Sequence, residues 1–130
     1  MILVTGAAGF IGSNIVSALN KKGFHNIVIC DWVDHNSKKN NLNKLIYENI
    51  VSPENLFNYL TKQNRIELVI HMGANSSTIE TNFRLIYNVN TRFSRKIWTW
   101  CTANNIRLIY ASSAATYGNG SKGFTESENE

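Results

Sequence analysis

Apolar stretches alternate with amphipathic ones along the 130 residues, and glycine or polar residues separate them. The apolar runs predict strands at residues 2–4, 27–30, 68–71 and 106–111, with a weaker third strand at 45–47. The run at 27–30 has no polar alternation, which is typical of a parallel strand covered on both faces. Strands that alternate with helices in this way predict an α/β fold with a doubly wound parallel sheet.

Three segments predict the helices between these strands. Ser52 as N-cap and Pro53 at the first helical position predict a helix that begins after the third strand. Gly23 stands where the C-cap of the first helix is expected. A long helix before the last strand has one apolar stripe. Trp98 lies off this stripe and is expected to be half-buried, with an interface as the alternative. The first helix has its apolar residues at Ile11, Ile15, Val16, Ala18 and Leu19, and the long helix at Val89, Phe93, Ile97, Trp100 and Cys101.

Between the second and third strands, residues 35–41 are polar and predict a loop. His25 and His35 lie in loops and carry no functional signal. His71, at the end of the fourth strand, is interpreted as a core histidine with its hydrogen bonds satisfied and not as a catalytic base.

A glycine triplet joins the first strand to the first helix as Gly6-x-x-Gly9-x-x-Gly12. The tight turn needs a residue without Cβ at Gly6, Gly9 lets the backbone approach a ligand, and Gly12 lets the helix lie close to the strand. The unpaired amides and the helix dipole favour a pyrophosphate there. The alternative is a turn with a structural role only.

Asp31 ends the second predicted strand and lies 19 residues beyond Gly12. In dinucleotide-binding folds an acidic residue at about this distance, at the tip of the second strand, accepts hydrogen bonds from the adenosine ribose. The alternative is an ordinary turn residue at a strand end.

Composition narrows the possible functions. With 43% hydrophobic residues, the chain is long enough for one core and one domain. The net charge of +4 comes from dispersed basic residues without interleaved aromatics, which argues against nucleic acid and favours anionic small molecules. Cys30 and Cys101 fall in predicted core positions, and nothing indicates a disulfide framework or a metal site. No run has membrane length and no targeting segment is evident, so we expect no membrane association and a cytoplasmic location.

Three segments carry a resemblance to a known family: the glycine turn, residues 73–80 and residues 110–118. The glycine spacing, with Thr5 and Phe10-Ile11-Gly12, resembles the extended branch of the short-chain dehydrogenase/reductase superfamily, which contains sugar-nucleotide epimerases and dehydratases. Together the three segments resemble its ADP-heptose 6-epimerases. The resemblance implies a Rossmann-type domain, a bound nicotinamide dinucleotide, an ADP-heptose substrate and inversion at C6 of the heptose in lipopolysaccharide precursor synthesis.

The resemblance also implies site residues. Ser113 matches the serine of the catalytic Ser/Tyr/Lys group, and strand alternation is expected to aim it at the cleft while Ser112 points towards the cover. The alternatives are that Ser76, Ser77 or Thr78 only caps the next helix and that Ser112 or Ser113 only ends a strand. The expected substrate contacts are Ser76, Ser77, Thr78 and Tyr117. The expected cofactor contacts are Gly6, Gly9, Phe10, Ile11, Gly12, Asp31, Trp32, Lys38, Met72, Gly73, Ala74, Asn75, Ser76 and Asn90.

The cofactor expected from these residues is NADP, with NAD as the alternative. Asp31 alone favours NAD, because a carboxylate 4 Å from a 2′-phosphate costs about 4 kcal/mol at an effective dielectric constant of 20. Lys38 offsets most of this repulsion if the polar loop folds over the ribose, as the resemblance implies.

The chain also departs from the family pattern. None of its five tyrosines has a lysine four residues later, and Gly118 and Gly120 argue against a helix at Tyr117. Asn75 replaces a residue that is usually cysteine. We therefore expect residues 1–130 to be the cofactor-binding part of a larger homo-oligomeric enzyme, without the substrate domain. Such a fragment would be inactive, and it would self-associate because the apolar surface on the fifth strand is uncovered. Another nucleotide-sugar epimerase or dehydratase, or an inactive dinucleotide-binding module, is the alternative.

Overall fold

The computed structural model describes residues 1–33, 36–63, 65–77, 79–121 and 123–125, without the side chains of Asn36 and Ser37. Five parallel strands form one sheet in the order β3-β2-β1-β4-β5. The strands are β1 Ile2–Thr5, β2 Ile27–Cys30, β3 Asn49–Val51, β4 Leu68–His71 and β5 Arg107–Tyr110. The α-helices are α1 Phe10–Lys21, α2 Asn36–Leu42, α3 Leu56–Leu60, α4 Phe83–Ile86 and α5 Phe93–Ala103. A π-helix, Tyr87–Arg92, joins α4 to α5, and a 3₁₀-helix spans Ala114–Tyr117.

Both faces of the sheet are covered at its inner strands, which confirms the predicted doubly wound arrangement. Alternate residues of each inner strand belong to different cores: Leu3 and Val28 pack with α3 and α5, while Val4 and Ile29 pack with α1 and α2. All four residues of β2 are buried for this reason. Cys30 and Cys101 are free and buried, as predicted.

Three predicted segments are wrong in position or type. The third strand is Asn49–Val51 and not residues 45–47, although Leu45 and Tyr47 pack against the core. The predicted polar loop contains α2, whose buried Leu42 and tertiary contacts outweigh a weak local preference. The helix expected from Pro53 begins at Leu56, because residues 52–55 form a turn first.

The apolar face of the first helix is confirmed at Ile15, Val16 and Leu19 and is wrong at Ile11 and Ala18. Ser13 and Val16 face the sheet and Ile15 and Leu19 pack beside them, but Ile11 is 63% exposed and Ala18 is also exposed. Gly23 follows the C-cap residue with φ +85°, as its predicted place requires.

The long helix buries Ile97 and Cys101 as predicted, with Phe93 and Trp100 packed beside them. Trp98 is exposed and not half-buried as predicted. None of the described helices is long and apolar enough to cross a membrane.

The edge strand β5 is covered on one face only. Leu108 and the preceding Ile106 pack against the core on the α5 side. Ile109 is 53% exposed, and its neighbour Tyr110 is exposed as well. The apolar surface expected to be open therefore lies at Ile109, while Ile106 and Leu108 are partly covered.

Close backbone contact at Gly12 holds α1 against the end of β1. A Cβ at this position would lie 2.1 Å from the Gly6 carbonyl oxygen and 2.8 Å from Ala7 Cα. At Gly9 a Cβ would meet only the Gly6 oxygen, at 3.2 Å. A side chain at Gly12 would therefore overlap backbone atoms, whereas a side chain at Gly9 would make one tight contact.

We expect Gly12→Ala to lower the free energy of unfolding by about 1–3 kcal/mol, the usual range for overpacking against atoms that cannot move freely. Urea unfolding followed by circular dichroism measures the loss. Gly9→Ala is the matched control and should lose much less, since its neighbour needs to move by only a few tenths of an ångström. Equal losses in the two variants would contradict the role given to Gly12.

Candidate functional site

A cleft of about 510 Å³ opens above the carboxyl ends of β1, β2 and β4. In open parallel sheets, ligands bind at this edge, where the strand order reverses. The order β3-β2-β1-β4-β5 reverses between β1 and β4, and the cleft lies there. Twelve of the fourteen predicted cofactor contacts line it: Gly6, Gly9, Phe10, Ile11, Gly12, Asp31, Trp32, Lys38, Met72, Gly73, Ala74 and Ser76.

Gly6 makes the turn at the floor of the cleft. Its φ of +66° favours glycine, and a Cβ there would lie 2.7 Å from the Gly73 backbone nitrogen. Its amide donates to the Cys30 carbonyl oxygen at 2.8 Å. The glycine turn is thus pressed against the loop after β4 and bonded to the end of β2.

The amino end of α1 faces the cleft without a capping side chain. Gly9 is the N-cap residue, and the first turn contains no acidic residue. Phe10 and Ile11 are 82% and 63% exposed at the cleft wall, so their side chains are not part of the core. Free amides at a helix start, together with the helix dipole, favour an anion such as a pyrophosphate.

Asp31 lies in the wall of the cleft at the end of β2, and its carboxylate is 5% exposed. Oδ2 accepts from the Ala8 amide at 2.9 Å, and Oδ1 accepts from the Trp32 amide at 2.7 Å. The Lys38 ammonium donates to Oδ1 at 2.6 Å. The carboxylate therefore ties the glycine turn to β2 and carries a cation at the cleft wall.

The loop after β4 forms the third wall. Asn75 and Asn90 do not line the cleft but bond to each other behind it: the Asn75 amide donates to Asn90 Oδ1 at 2.7 Å, and Asn90 Nδ2 donates to the Asn75 carbonyl oxygen at 3.0 Å. Asn90 lies in the π-helix, whose wider turn is often found at functional sites. The pair holds the loop in place, and a cofactor contact of either residue stays a prediction.

A buried hydrogen-bond chain lies beneath this loop. His71 is 2% exposed; its Nδ1 is hydrogen-bonded to the Thr5 hydroxyl and its Nε2 to the Ser94 hydroxyl, the latter at 2.8 Å. The Thr5 oxygen also accepts from the Gly73 amide at 3.2 Å. Burial lowers the pKa of His71 to about 4. The histidine is neutral and its hydrogen bonds are satisfied, as predicted.

Cys30 is the thiol at the floor of the cleft. Burial, followed by the nearby charges of Asp31 and Glu54, raises the pKa of Cys30 to about 12. The thiol is therefore protonated at neutral pH and is a poor nucleophile. Within the described ranges, no group of three or more His, Cys, Asp or Glu is placed to hold a metal ion.

The predicted substrate and catalytic residues are only partly assembled. Ser76 lines the cleft and Ser77 is exposed beside it, while Thr78 lies outside the described residues. Asn82 caps α4, so the alternative that Ser76 or Ser77 caps that helix is wrong.

Ser113 and Tyr117 lie in the segment after β5 and do not line the cleft. Ser113 caps the 3₁₀-helix, and its Oγ accepts from the Ala115 amide at 3.2 Å. Tyr117 packs edge-on against Phe124, with ring centroids 5.5 Å apart. The 3₁₀-helix ends at Gly118, so no α-helix continues past Tyr117, as the glycines predict.

A second groove, of about 770 Å³, lies away from the glycine turn along the π-helix and α5. It contains none of the predicted cofactor residues. Its lining is aromatic and basic, consisting of Phe57, Tyr87, Arg92, Arg95, Lys96, Thr99, Trp100 and Ala103.

The chain is similar to the proteins of one known family. The model of the NAD-dependent epimerase/dehydratase family matches residues 2–130. The chain belongs to this family. Among curated members, the ADP-L-glycero-D-manno-heptose-6-epimerase of Brachyspira hyodysenteriae is 42% identical over 132 residues, which cover 98% of this chain and 42% of that protein. The enzyme of the same name from Fusobacterium nucleatum is 43% identical, covering 97% of this chain and 39% of its own length. The chain spans about two fifths of the length of these relatives.

Solved structures of UDP-sugar 4-epimerases share the fold. A UDP-glucuronic acid 4-epimerase variant from Bacillus cereus, in complex with NAD and a fluorinated UDP-sugar, has a TM-score of 0.80 and 26% identity over 96% of this chain and 44% of its own. A UDP-N-acetylglucosamine 4-epimerase from Methanobrevibacter ruminantium, in complex with UDP-N-acetylmuramic acid, has a TM-score of 0.75 and 31% identity over 98% and 43%. The Rossmann-type prediction is confirmed.

Sequence reasoning missed several residues that line this cleft. Pro53 is predicted as the first residue of a helix, because Ser52-Pro53 fits the start of one. Val89 and Phe93 were assigned to the core stripe of the long helix. Thr5 was used only as part of the family motif, and Cys30 only as a core residue. The rule that ligands bind beyond the carboxyl ends of parallel strands was the available signal for Thr5, Cys30 and Pro53.

The low pKa of His71 predicts a loss of stability in acid. The unfolded chain binds a proton on this histidine below its ordinary pKa of 6.5, whereas the folded chain resists protonation until about pH 4. The stabilisation is complete above pH 6.5 and is lost as the pH falls towards 4. We expect about 2 kcal/mol less stability at pH 5 than at pH 7 from this group.

Urea unfolding at a series of pH values measures this loss. The His71→Gln variant serves as the control: it should be less stable at neutral pH, and its stability should fall less steeply between pH 7 and pH 5. The same slope in both proteins would contradict the assignment to His71.

Proposed function

We propose that this chain is the cofactor-binding part of an NADP-dependent ADP-L-glycero-D-manno-heptose 6-epimerase. The observation that carries the proposal is 42–43% identity to two enzymes of that name over nearly the whole chain. An enzyme of this kind inverts C6 of the heptose by oxidising the hydroxyl with a nicotinamide and returning the hydride to the opposite face. Its product serves lipopolysaccharide inner-core synthesis. A cytoplasmic location and a homo-oligomeric full-length enzyme belong to the same proposal.

Another nucleotide-sugar epimerase or dehydratase is the second candidate. The solved relatives with TM-scores of 0.75 and 0.80 are epimerases of UDP-sugars, and they share the fold that forms the cleft. Their identity to this chain is 26% and 31%, well below that of the heptose enzymes. An inactive dinucleotide-binding module is the third candidate, and it is favoured only by the lack of Tyr-x-x-x-Lys within these 130 residues.

The residues of the cleft fit a dinucleotide. The open amides at the start of α1 supply donors for a pyrophosphate. Gly9, where a Cβ would meet only the Gly6 oxygen, presents backbone without a side chain beside these amides. The bound nicotinamide would supply hydride transfer. The chain itself positions the dinucleotide, with the glycine turn below it and the loop after β4 alongside.

The hydrogen bonds of Asp31 favour NADP over NAD. A carboxylate has about four lone-pair sites, and three are taken by the Ala8 amide, the Trp32 amide and the Lys38 ammonium. Bidentate binding of a ribose diol would require one of these bonds to break. The paired Lys38 offsets the negative charge and has two further N–H donors for a 2′-phosphate.

Replacing Lys38 tests this cofactor preference. We expect Lys38→Glu in the full-length protein to weaken NADP binding at least tenfold more than NAD binding, because a carboxylate then faces the 2′-phosphate beside Asp31. Isothermal titration with both dinucleotides measures the two changes. Lys39→Glu, at the exposed neighbouring position, is the matched control for a change of net charge. Equal weakening of NADP and NAD in the Lys38 variant would show that the cation does not select the cofactor.

The epimerase activity itself is tested with the full-length protein and ADP-heptose. We expect inversion at C6, followed by nuclear magnetic resonance, and no turnover of UDP-glucose or UDP-glucuronic acid. Turnover of a UDP-sugar without turnover of ADP-heptose would favour the second candidate. Loss of all turnover with retained dinucleotide binding would favour the third.

Ser113 is proposed to donate a hydrogen bond to the reacting oxygen in this enzyme. A donor that binds more strongly in the transition state raises turnover more than affinity. Ser113→Ala should lower kcat by roughly 10²-fold or more with little change in dinucleotide affinity. Ser112→Ala is the control and should keep normal turnover in the folded protein. Normal turnover by Ser113→Ala would overturn the assignment.

A further inference from the structure

An aromatic side chain stands at the mouth of the cleft, beside the paired carboxylate and ammonium. Trp32 directly follows Asp31 and lines the cleft together with Pro53. The residue is 40% exposed, although its indole is large and apolar. A partly open, flat apolar surface therefore lines the cleft next to Asp31 in the chain.

A hydrogen bond fixes the orientation of this indole. Trp32 Nε1 donates to Glu54 Oε1 at 2.6 Å. Glu54 lies in the turn between β3 and α3, so the bond joins the end of β2 to the segment after β3. Hydrogen bonds from the backbone amide of Glu54, from Trp32 and from Ser52 lower the pKa of Glu54, so its carboxylate is charged at neutral pH. A charged acceptor strengthens such a bond.

The bond has little to contribute to the stability of the fold. Both side chains are exposed, and exposed polar pairs of this kind add little, because ordering them costs entropy and water competes for the same groups. The structural effect of the bond is to restrict the rotation of the Trp32 ring at the edge of the cleft. A ring ordered before the ligand binds costs less entropy on binding.

The order of chemical groups in an adenine dinucleotide indicates the part of the ligand that this ring would meet. The amino end of α1 suits the pyrophosphate, and the Asp31–Lys38 pair suits the adjoining ribose and its 2′ substituent. The next group of an adenine dinucleotide is the purine base, and Trp32, which directly follows Asp31 in the chain, lines the same cleft. Bases stack on aromatic rings with about 1–3 kcal/mol per base, as measured by substitution with alanine.

We propose that Trp32 is a stacking platform for the purine base of the dinucleotide and that Glu54 is the positioning residue that holds its indole in place. The inference rests on the proposed dinucleotide-binding function of the cleft. Glu54 acts through Trp32 and does not contact the ligand. Its negative charge opposes an anionic cofactor, so its benefit to binding depends on the bond to the indole.

This dependence can be measured with four variants of the full-length protein: Trp32→Ala, Trp32→Phe, Glu54→Ala and Glu54→Gln. Titration with NADP⁺ gives the dissociation constants, and nicotinamide mononucleotide, which has no purine, is the control probe. We expect Trp32→Ala to weaken NADP⁺ binding roughly 5- to 150-fold, the equivalent of one lost stacking contact. Binding of the mononucleotide should stay unchanged.

The Glu54 variants separate positioning from charge. Glu54→Ala should weaken NADP⁺ binding several-fold, whereas Glu54→Gln keeps an oxygen acceptor for the indole and should bind like the unaltered protein. In the Trp32→Phe background, which has no indole N–H, Glu54→Ala should have no weakening effect. Equal effects of Glu54→Ala in both backgrounds, or tighter binding in the Trp32 background, would overturn the positioning role.

Two other outcomes distinguish the stacking role of Trp32 from the proposed dinucleotide-binding function. NADP⁺ binding that is independent of Trp32 would overturn the stacking platform and leave the proposed function intact. Failure of the unaltered protein to bind either NADP⁺ or NAD⁺ would overturn the proposed function, and this inference with it.

Discussion

The close approach of two backbone segments at Gly6 and Gly73 is the constraint on which the site depends. A Cβ on Gly6 would lie within 2.7–2.8 Å of the Gly73 and Met72 backbone, and the positive φ of Gly6 excludes most other residues in any case. Gly12 brings α1 even closer to the same turn, since a Cβ there would lie 2.1 Å from the Gly6 carbonyl oxygen. As a result, β1, α1 and the loop after β4 meet at one point, and the cleft opens above it.

Polar contacts then fix the walls around this glycine contact. The Asp31 carboxylate accepts a hydrogen bond from the Ala8 amide of the glycine turn. The Thr5 hydroxyl accepts one from the Gly73 amide and is also hydrogen-bonded to the buried His71. Each contact joins the ends of neighbouring strands, so the walls are set by the sheet and not by mobile side chains. The same carboxylate that holds the turn also carries Lys38, which links the geometry of the cleft to the proposed cofactor preference.

Features determined by nearby residues could be predicted from the sequence, and those determined by tertiary contact could not. Glycine spacing and apolar runs located β1, β2, β4 and the cleft, because turn geometry and burial act over a few residues. The helix α2 was missed, since its polar sequence is held by Leu42 in the core and by an Asn41 bond to the Ala8 carbonyl oxygen. The misplaced third strand hid Glu54, whose contact with Trp32 exists only after β2 and β3 have paired.

The central claim is that the cleft above the glycine turn holds the dinucleotide. A crystal structure of the full-length protein with NADP⁺ tests it most directly. The account predicts the pyrophosphate over the Phe10 and Ile11 amides at the start of α1, with the adenosine ribose beside Asp31. A dinucleotide in the basic groove along α5, with the cleft above Gly6 empty, would contradict it.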